Sequence, residues 1–221
     1  MSRARWVRAA TLALALRSLG CTSEVPPAES ASEPFDGLKM LVSARSNGSL
    51  LAIDVGLRSA SSVDLVVSPS ESLTVDAPGS PTTALVPNGN RAIAAVATEG
   101  NVALVHHQRA EGSRTVRVEL PRPFVIDAPK TLGRGEPLAL RWEADPKTAP
   151  LIEMESGCLT GPSVRRPARD LGEYTFAPAD LPSRSGPCTL IVRITRTREE
   201  ADGPDAIRVA QIRTVLVEIS P

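Results

Sequence analysis

The chain has 221 residues, with 25 basic and 25 acidic side chains, and aromatic residues make up 3% of it. The balanced charge argues against a general polyanion-binding surface, and so few aromatics argue against the stacking platforms that hold single-stranded nucleic acid or sugars. Twenty prolines spread along the sequence disfavour long helices, because an interior proline removes a backbone donor and clashes with the preceding turn.

At the N-terminus, Arg3, Arg5 and Arg8 precede the apolar run Ala9–Leu16, which is followed by Gly20-Cys21 and the polar Thr22-Ser23-Glu24. Positive charge, short apolar run and small residues in that order are the pattern of a secretory signal. The run falls well short of the roughly 20 apolar residues that a membrane-spanning helix needs, and no later stretch approaches that length. Ser18-Leu19-Gly20-Cys21 resembles the lipobox of bacterial lipoproteins: Gly20 and Cys21 match the pattern, while Ser18 stands where an aliphatic residue is usual and Leu19 where a small one is. The resemblance covers about the first tenth of the chain. It implies a signal peptide over residues 1–20, lipidation of Cys21 and anchorage of the mature chain in the cell envelope through that lipid. Thr22 rather than Asp after the cysteine implies sorting to the outer membrane in a cell with two membranes. Without residues 1–20, which hold four Arg and no acid, 21 basic side chains face 25 acidic ones, a net charge of −4.

If lipid takes Cys21, two cysteines remain, Cys158 and Cys188, and in an oxidising compartment these can form a disulfide. Neither belongs to a Cys-x-x-Cys pair and the two histidines lie some 50 residues upstream, so a metal site is not expected.

Residues 21–36 are rich in Pro, Ser, Glu and Ala and read as a disordered tether. From Leu38 onward, short apolar runs alternate with turn residues. Ser46-Asn47-Gly48-Ser49 separates Leu38–Ala44 from Leu50–Leu57, a strong hairpin signal. Val63–Val67, Leu73–Val75 and Thr82–Val86 follow, then the turn Pro87-Asn88-Gly89-Asn90, then Ala92–Ala97 and Val102–His107. In Arg114–Leu120, Val116, Val118 and Leu120 face one way and Arg117 and Glu119 the other, as in a half-buried strand. Pro121, Pro123 and Pro129 mark a junction. Beyond it, Pro137–Trp142, Leu151–Glu155, Glu173–Phe176 and Cys188–Thr195 read as strands and Gly161–Asp170 as a loop. Arg196–Asp205 reads as a charged turn, and Ala206–Ile219 as one long strand or two with a bulge near Gln211–Arg213.

These features predict an all-β protein of two consecutive β-sandwich domains, residues 37–121 and 122–221, after the signal peptide and tether, with a single larger sandwich or barrel as the alternative. The second unit loosely resembles immunoglobulin-like or fibronectin-type modules, with Pro137–Trp142 as an early strand and Trp142 in the core. A Cys158–Cys188 bridge would not bracket Trp142 as the antibody-domain disulfide does.

For catalysis, no Gly-x-Ser-x-Gly is present, and a paired Cys158 has no thiolate to offer. Gly133-Arg134-Gly135 precedes a proline and reads as a turn rather than a phosphate loop. His106 and His107 are adjacent, so on a strand they point to opposite faces and do not share one metal; an edge or turn pair, partly exposed, is expected. Asp202-Gly203-Pro204-Asp205 with Glu199 and Glu200 offers clustered oxygens for calcium, but without a full ligand pattern a solvated loop is expected. Arg165, Arg166 and Arg169 form a basic loop between the cysteines. The sequence therefore predicts a lipid-anchored structural or protein-binding module of the bacterial envelope, with no catalytic residue, metal, cofactor or nucleic-acid partner. The alternative is an exported enzyme or small-ligand binder whose site assembles from distant loops.

Overall fold

Alternating burial runs through most of the chain and resolves into strands at the places where apolar residues recur at every second position. The computed structural model describes residues 27–159, 161–182 and 186–220. In chain order the strands are β1 (Lys39–Ser46), β2 (Leu50–Arg58), β3 (Asp64–Leu65), β4 (Ser72–Asp76), β5 (Thr83–Ala84), β6 (Val86–Asn88), β7 (Arg91–Ala97), β8 (Val102–Arg109) and β9 (Gly112–Glu119). They continue with β10 (Thr131–Leu132), β11 (Leu138–Arg141), β12 (Ala149–Glu155), β13 (Ser163–Arg165), β14 (Glu173–Phe176), β15 (Cys188–Asp202) and β16 (Asp205–Ile219). The only helical elements among the described residues are three 3-10 turns.

The strands form three sheets. The largest has ten strands in the order β13-β12-β15-β16-β1-β2-β7-β6, with β10 beside β16 and β3 beside β2; the others are β5-β4-β8-β9 and β11-β14. The expected Asn-Gly hairpin is present: Gly48 takes a φ of +111°, and the Asn47 side-chain oxygen accepts from the backbone N–H groups of Ser49 and Leu50.

The central feature of the large sheet is the hairpin of β15 and β16, 15 residues each, paired without interruption from Cys188↔Ile219 to Asp202↔Asp205. At roughly 3.3 Å per residue each arm is about 46 Å long. Near the turn, β1 runs parallel to β16, from Leu41↔Ala206 to Ser46↔Gln211. Toward the other end, β12 runs antiparallel to β15, from Ala149↔Thr197 to Glu155↔Ile191. Strand β16 consequently serves two separate hydrophobic clusters with residues of one face. Ile207 and Val209 join residues of β1, β2, β4, β7, β8 and β9, while Val217 and Ile219 join Leu138, Leu140, Ile152, Met154, Phe176, Leu190, Val192 and Ile194. Between the clusters the same face carries Gln211, and Arg196 lies opposite it on β15; both are buried.

Two local expectations change, and one left open is resolved. Residues Arg196–Asp202 are not a turn: β15 continues through them, and the chain reverses only at Gly203-Pro204, with Gly203 at φ +58°. The charge of Arg196 concealed the strand, because its burial depends on a carboxylate far away in sequence, described below. Strand β16 is unbroken, without a bulge near Gln211–Arg213. The later part of the segment expected as tether, residues 28–36, is packed onto the body. Ser30 is fully buried, its N–H donates to Val66 O at 2.8 Å, and 3-10 turns form at Ser30–Ser32 and Phe35–Gly37.

Candidate functional site

Cys21 lies outside the described residues. Cys158 and Cys188 form the expected disulfide, with Cα atoms 6.2 Å apart, joining the loop after β12 to the first residue of β15. The Ser156 hydroxyl donates to Thr189 O at 2.7 Å and lies 2.8 and 3.1 Å from the two sulfurs.

The adjacent histidines do point to opposite faces, but β8 is an interior strand of its sheet, flanked by β4 and β9. His107 is therefore buried rather than partly exposed, and its Nε2 lies 3.1 Å from Glu71 Oε2. Glu71 is equally buried; it accepts from the Ser30 hydroxyl at 2.7 Å and pairs with Arg109 at 3.2 Å. Arg109 also donates to the backbone oxygens of Ser30, Ala31 and Glu33. Phe35 packs against this group, its ring 5.4 Å from that of His107 and 5.9 and 5.5 Å from the guanidinium carbons of Arg109 and Arg114. Burial holds the imidazole of His107 below its ordinary range, against the opposing pull of the Glu71 carboxylate. The cluster straps residues 28–38 onto the body. Nothing in the local sequence announces this, because Ser30, Glu71 and the β8 pair His107 and Arg109 come from three separate segments.

On the outer face of the same sheet, His106 bridges two neighbours: Nε2 lies 2.9 Å from Asp76 Oδ2 and Nδ1 lies 2.9 Å from Thr115 Oγ1. The Asp76 carboxyl is held below its usual value, first by the Thr82 hydroxyl and then, with desolvation opposing, by His106. Hydroxyl, imidazole and carboxylate stand in a row, but on a sheet face rather than in a cleft.

A second buried network sits between the two hydrophobic clusters. Arg196 and Asp170 pair at 2.6 Å with neither side chain exposed. Asp170 also accepts from Trp142 Nε1 at 2.7 Å and from the N–H groups of Gly172 and Asp145 at 3.0 and 3.2 Å. Arg196 donates to the backbone oxygens of Arg122 and Glu143 and lies over the Phe124 ring at 4.1 Å. Asp170 and Arg196 are each held by several partners, so the network braces this region.

The acidic hairpin turn is not a cation cage. Asp205 turns inward, accepting from Met40 N–H at 2.7 Å and from Arg114 at 3.3 Å. Among the described residues no three metal-ligating side chains come together. Gly133-Arg134-Gly135 is a turn closed by Glu136, whose carboxylate accepts from Gly133 N–H at 3.0 Å. The expected basic loop is in part a strand: Arg165 ends β13, opposite Ile152 of β12, and pairs with Asp180 at 2.7 Å.

The large sheet also bears an open hollow of about 750 Å³ on its outer face, floored by Ser43, Ala52, Ile93 and Ala95 and rimmed by Arg45 and Val86. Its residues come from β1, β2, β5, β6 and β7, which no single sequence window brings together.

No family model and no curated protein matches the sequence. Among solved structures, the Yersinia pseudotuberculosis adhesin InvE aligns at 10% identity and a TM-score of 0.27 over 84% of this chain and 59% of its own. The human OSCAR ligand-binding domain aligns at 14% identity and a TM-score of 0.28 over 81% of this chain and 98% of its own. A 1.5-MDa bacterial ice-binding adhesin, described for its retention at the host cell surface, aligns at 9% identity and a TM-score of 0.26 over 83% of this chain and 64% of its own. The chain spans less than two thirds of either adhesin chain. Overlap of this extent assigns neither a shared fold nor a function.

Proposed function

We propose that the protein is an exported lipoprotein, anchored through Cys21, that serves as a structural or protein-binding module of the bacterial envelope, at the outer membrane where the cell has one. In this reading its body is two immunoglobulin-like β-sandwich units fused through the shared hairpin. The observation that carries the reading is the Cys158–Cys188 bridge: of three cysteines in the sequence, it accounts for the two outside the signal region and leaves Cys21 for the lipid. A disulfide also suits an oxidising, extracytoplasmic compartment. The broad outer sheet face and the multiply held polar networks support a scaffold rather than a reactive centre. Mass spectrometry of the mature N-terminus tests the anchor. A diacylated or triacylated Cys21 is expected, with Cys21→Ser moving the protein out of the membrane fraction. Cleavage elsewhere, or an unmodified Cys21, removes the anchor from the reading.

One observation favours a second reading, an exported hydrolase: the row Asp76–His106–Thr115 has the composition of a carboxylate–imidazole–hydroxyl relay. Turnover of an activated ester that is lost in Thr115→Val and in His106→Ala would support it, and turnover equal in all three proteins would dismiss it.

A further inference from the structure

Resting on the Cys21 anchor proposed above, we infer that the strap makes the hairpin-turn end of the molecule its membrane-facing surface and leaves the disulfide end as the outward one. The chain emerges from its anchor into a fixed place. Ala28 O accepts from Val66 N–H at 3.0 Å, and Arg109 holds the oxygens of Ala31 and Glu33 at 3.2 and 3.0 Å. From there β1 begins beside Ala206, next to the Gly203-Pro204 turn, while Arg114 links Leu38 O to Asp205 at the same end. The strap, the β15–β16 turn and the β8–β9 turn thus share one end of the body.

The opposite end carries Cys158, Cys188 and β10, which pairs with Glu218 and Ile219. It lies more than about 40 Å away along the hairpin arms. Because β15 and β16 pass without interruption through both hydrophobic clusters, no flexible joint lets the far end fold back. Seven residue steps separate Cys21 from Ala28, so the strapped end stays within about 25 Å of the anchor. If residues 28–38 were loose, that reach would more than double.

Charge at the strapped end fits a surface held near a bilayer by the tether rather than adsorbed to it. Glu29, Asp36 and Asp202 are exposed there, and Glu111 and Glu200 pair with Arg109 and Arg198. The cations Arg58 and Arg208 are engaged by Asp64 and Glu199, while Lys39 donates to Ala60 O, so the acids outweigh the free cations. Anionic headgroups are repelled by such an end.

The test uses the mature chain with a hexahistidine tag in place of residues 1–21, docked on vesicles that contain nickel-chelating lipid, so that the result does not depend on natural acylation. A donor dye is placed on Asp202→Cys or on Glu218→Cys, and energy transfer to an acceptor lipid is measured. Several-fold stronger transfer from position 202 is expected. Arg109→Ala, which cuts the strap, should shrink the difference; so should a 20-residue Gly-Ser insertion after residue 26, which leaves the folded body unchanged. Equal transfer from the two positions, or stronger transfer from 218, overturns the orientation. An unacylated Cys21 in cells instead defeats only the anchor.

Discussion

Arg196 and Asp170 form an ion pair that is completely withdrawn from solvent, at the level where the two hydrophobic clusters meet. Such a pair stabilises little relative to a well-packed apolar substitute, but removing one partner strands a buried charge. Asp170→Ala is therefore expected to destabilise the protein by about 3–5 kcal/mol in chemical denaturation. The double variant Asp170→Leu with Arg196→Met should lose less than Asp170→Ala alone. A single variant within 1 kcal/mol of wild type would mean the pair is not buried in solution.

Gly172 donates to Asp170 at φ +76°, and a Cβ there would meet Trp142 O at 2.7 Å. Backbone strain and the clash act together, so Gly172→Ala should cost about 2–3 kcal/mol. Gly135, also at positive φ but with open space around it, should tolerate alanine at about 1 kcal/mol. Thermal melts of the two variants separate the clash from the strain.

The shared hairpin couples the two clusters. Ile207→Ala in one and Ile194→Ala in the other should each cost about 2–5 kcal/mol and lower a single cooperative transition. Two resolved calorimetric peaks, only one of which moves with each variant, would refute the coupling.

His107 supplies a pH dependence. Its folded-state pKa is lowered by burial, so between that value and the ordinary 6.5 the unfolded chain binds more protons than the folded one. The stability from this site is complete above pH 6.5 and is lost as pH falls through the lower folded value. The slope from one group is at most about 1.4 kcal/mol per pH unit. Denaturant titrations between pH 7.5 and pH 5 should show this loss in wild type and a flatter profile in His107→Gln.

The disulfide closes a loop of about 31 residues, worth about 3–4 kcal/mol through the unfolded chain. Cys158→Ser with Cys188→Ser should lose stability of that order, measured as a shift in the urea midpoint against the oxidised protein.

Strand positions were legible wherever burial followed alternation, as in Val116–Val118–Leu120 and Leu190–Val192–Ile194. The cysteine pairing was legible because only Cys158 and Cys188 remain once Cys21 is set aside for the expected lipid. What escaped the sequence depends on distant partners. Arg196 looks like a solvated loop residue until Asp170, a span of 26 positions away, is brought under it. Ser30 looks like tether until Glu71 accepts its hydroxyl. The position of His107 follows from β8 having neighbours on both sides, a property of the sheet order and not of the local residues. The outer hollow has no local signature because its lining is shared among five strands, each contributing three residues at most.

The parallel contact between β1 and β16 sets the order of events during synthesis. β1 is made long before the strand beside it, which runs from Ala206 to Gln211, so that ladder cannot close until the intervening strands have been synthesised. Until then Ile207 and Val209 are missing from the first core, and the nascent chain lacks a complete native body. A chain built this way goes without its finished first core until β16 has been made.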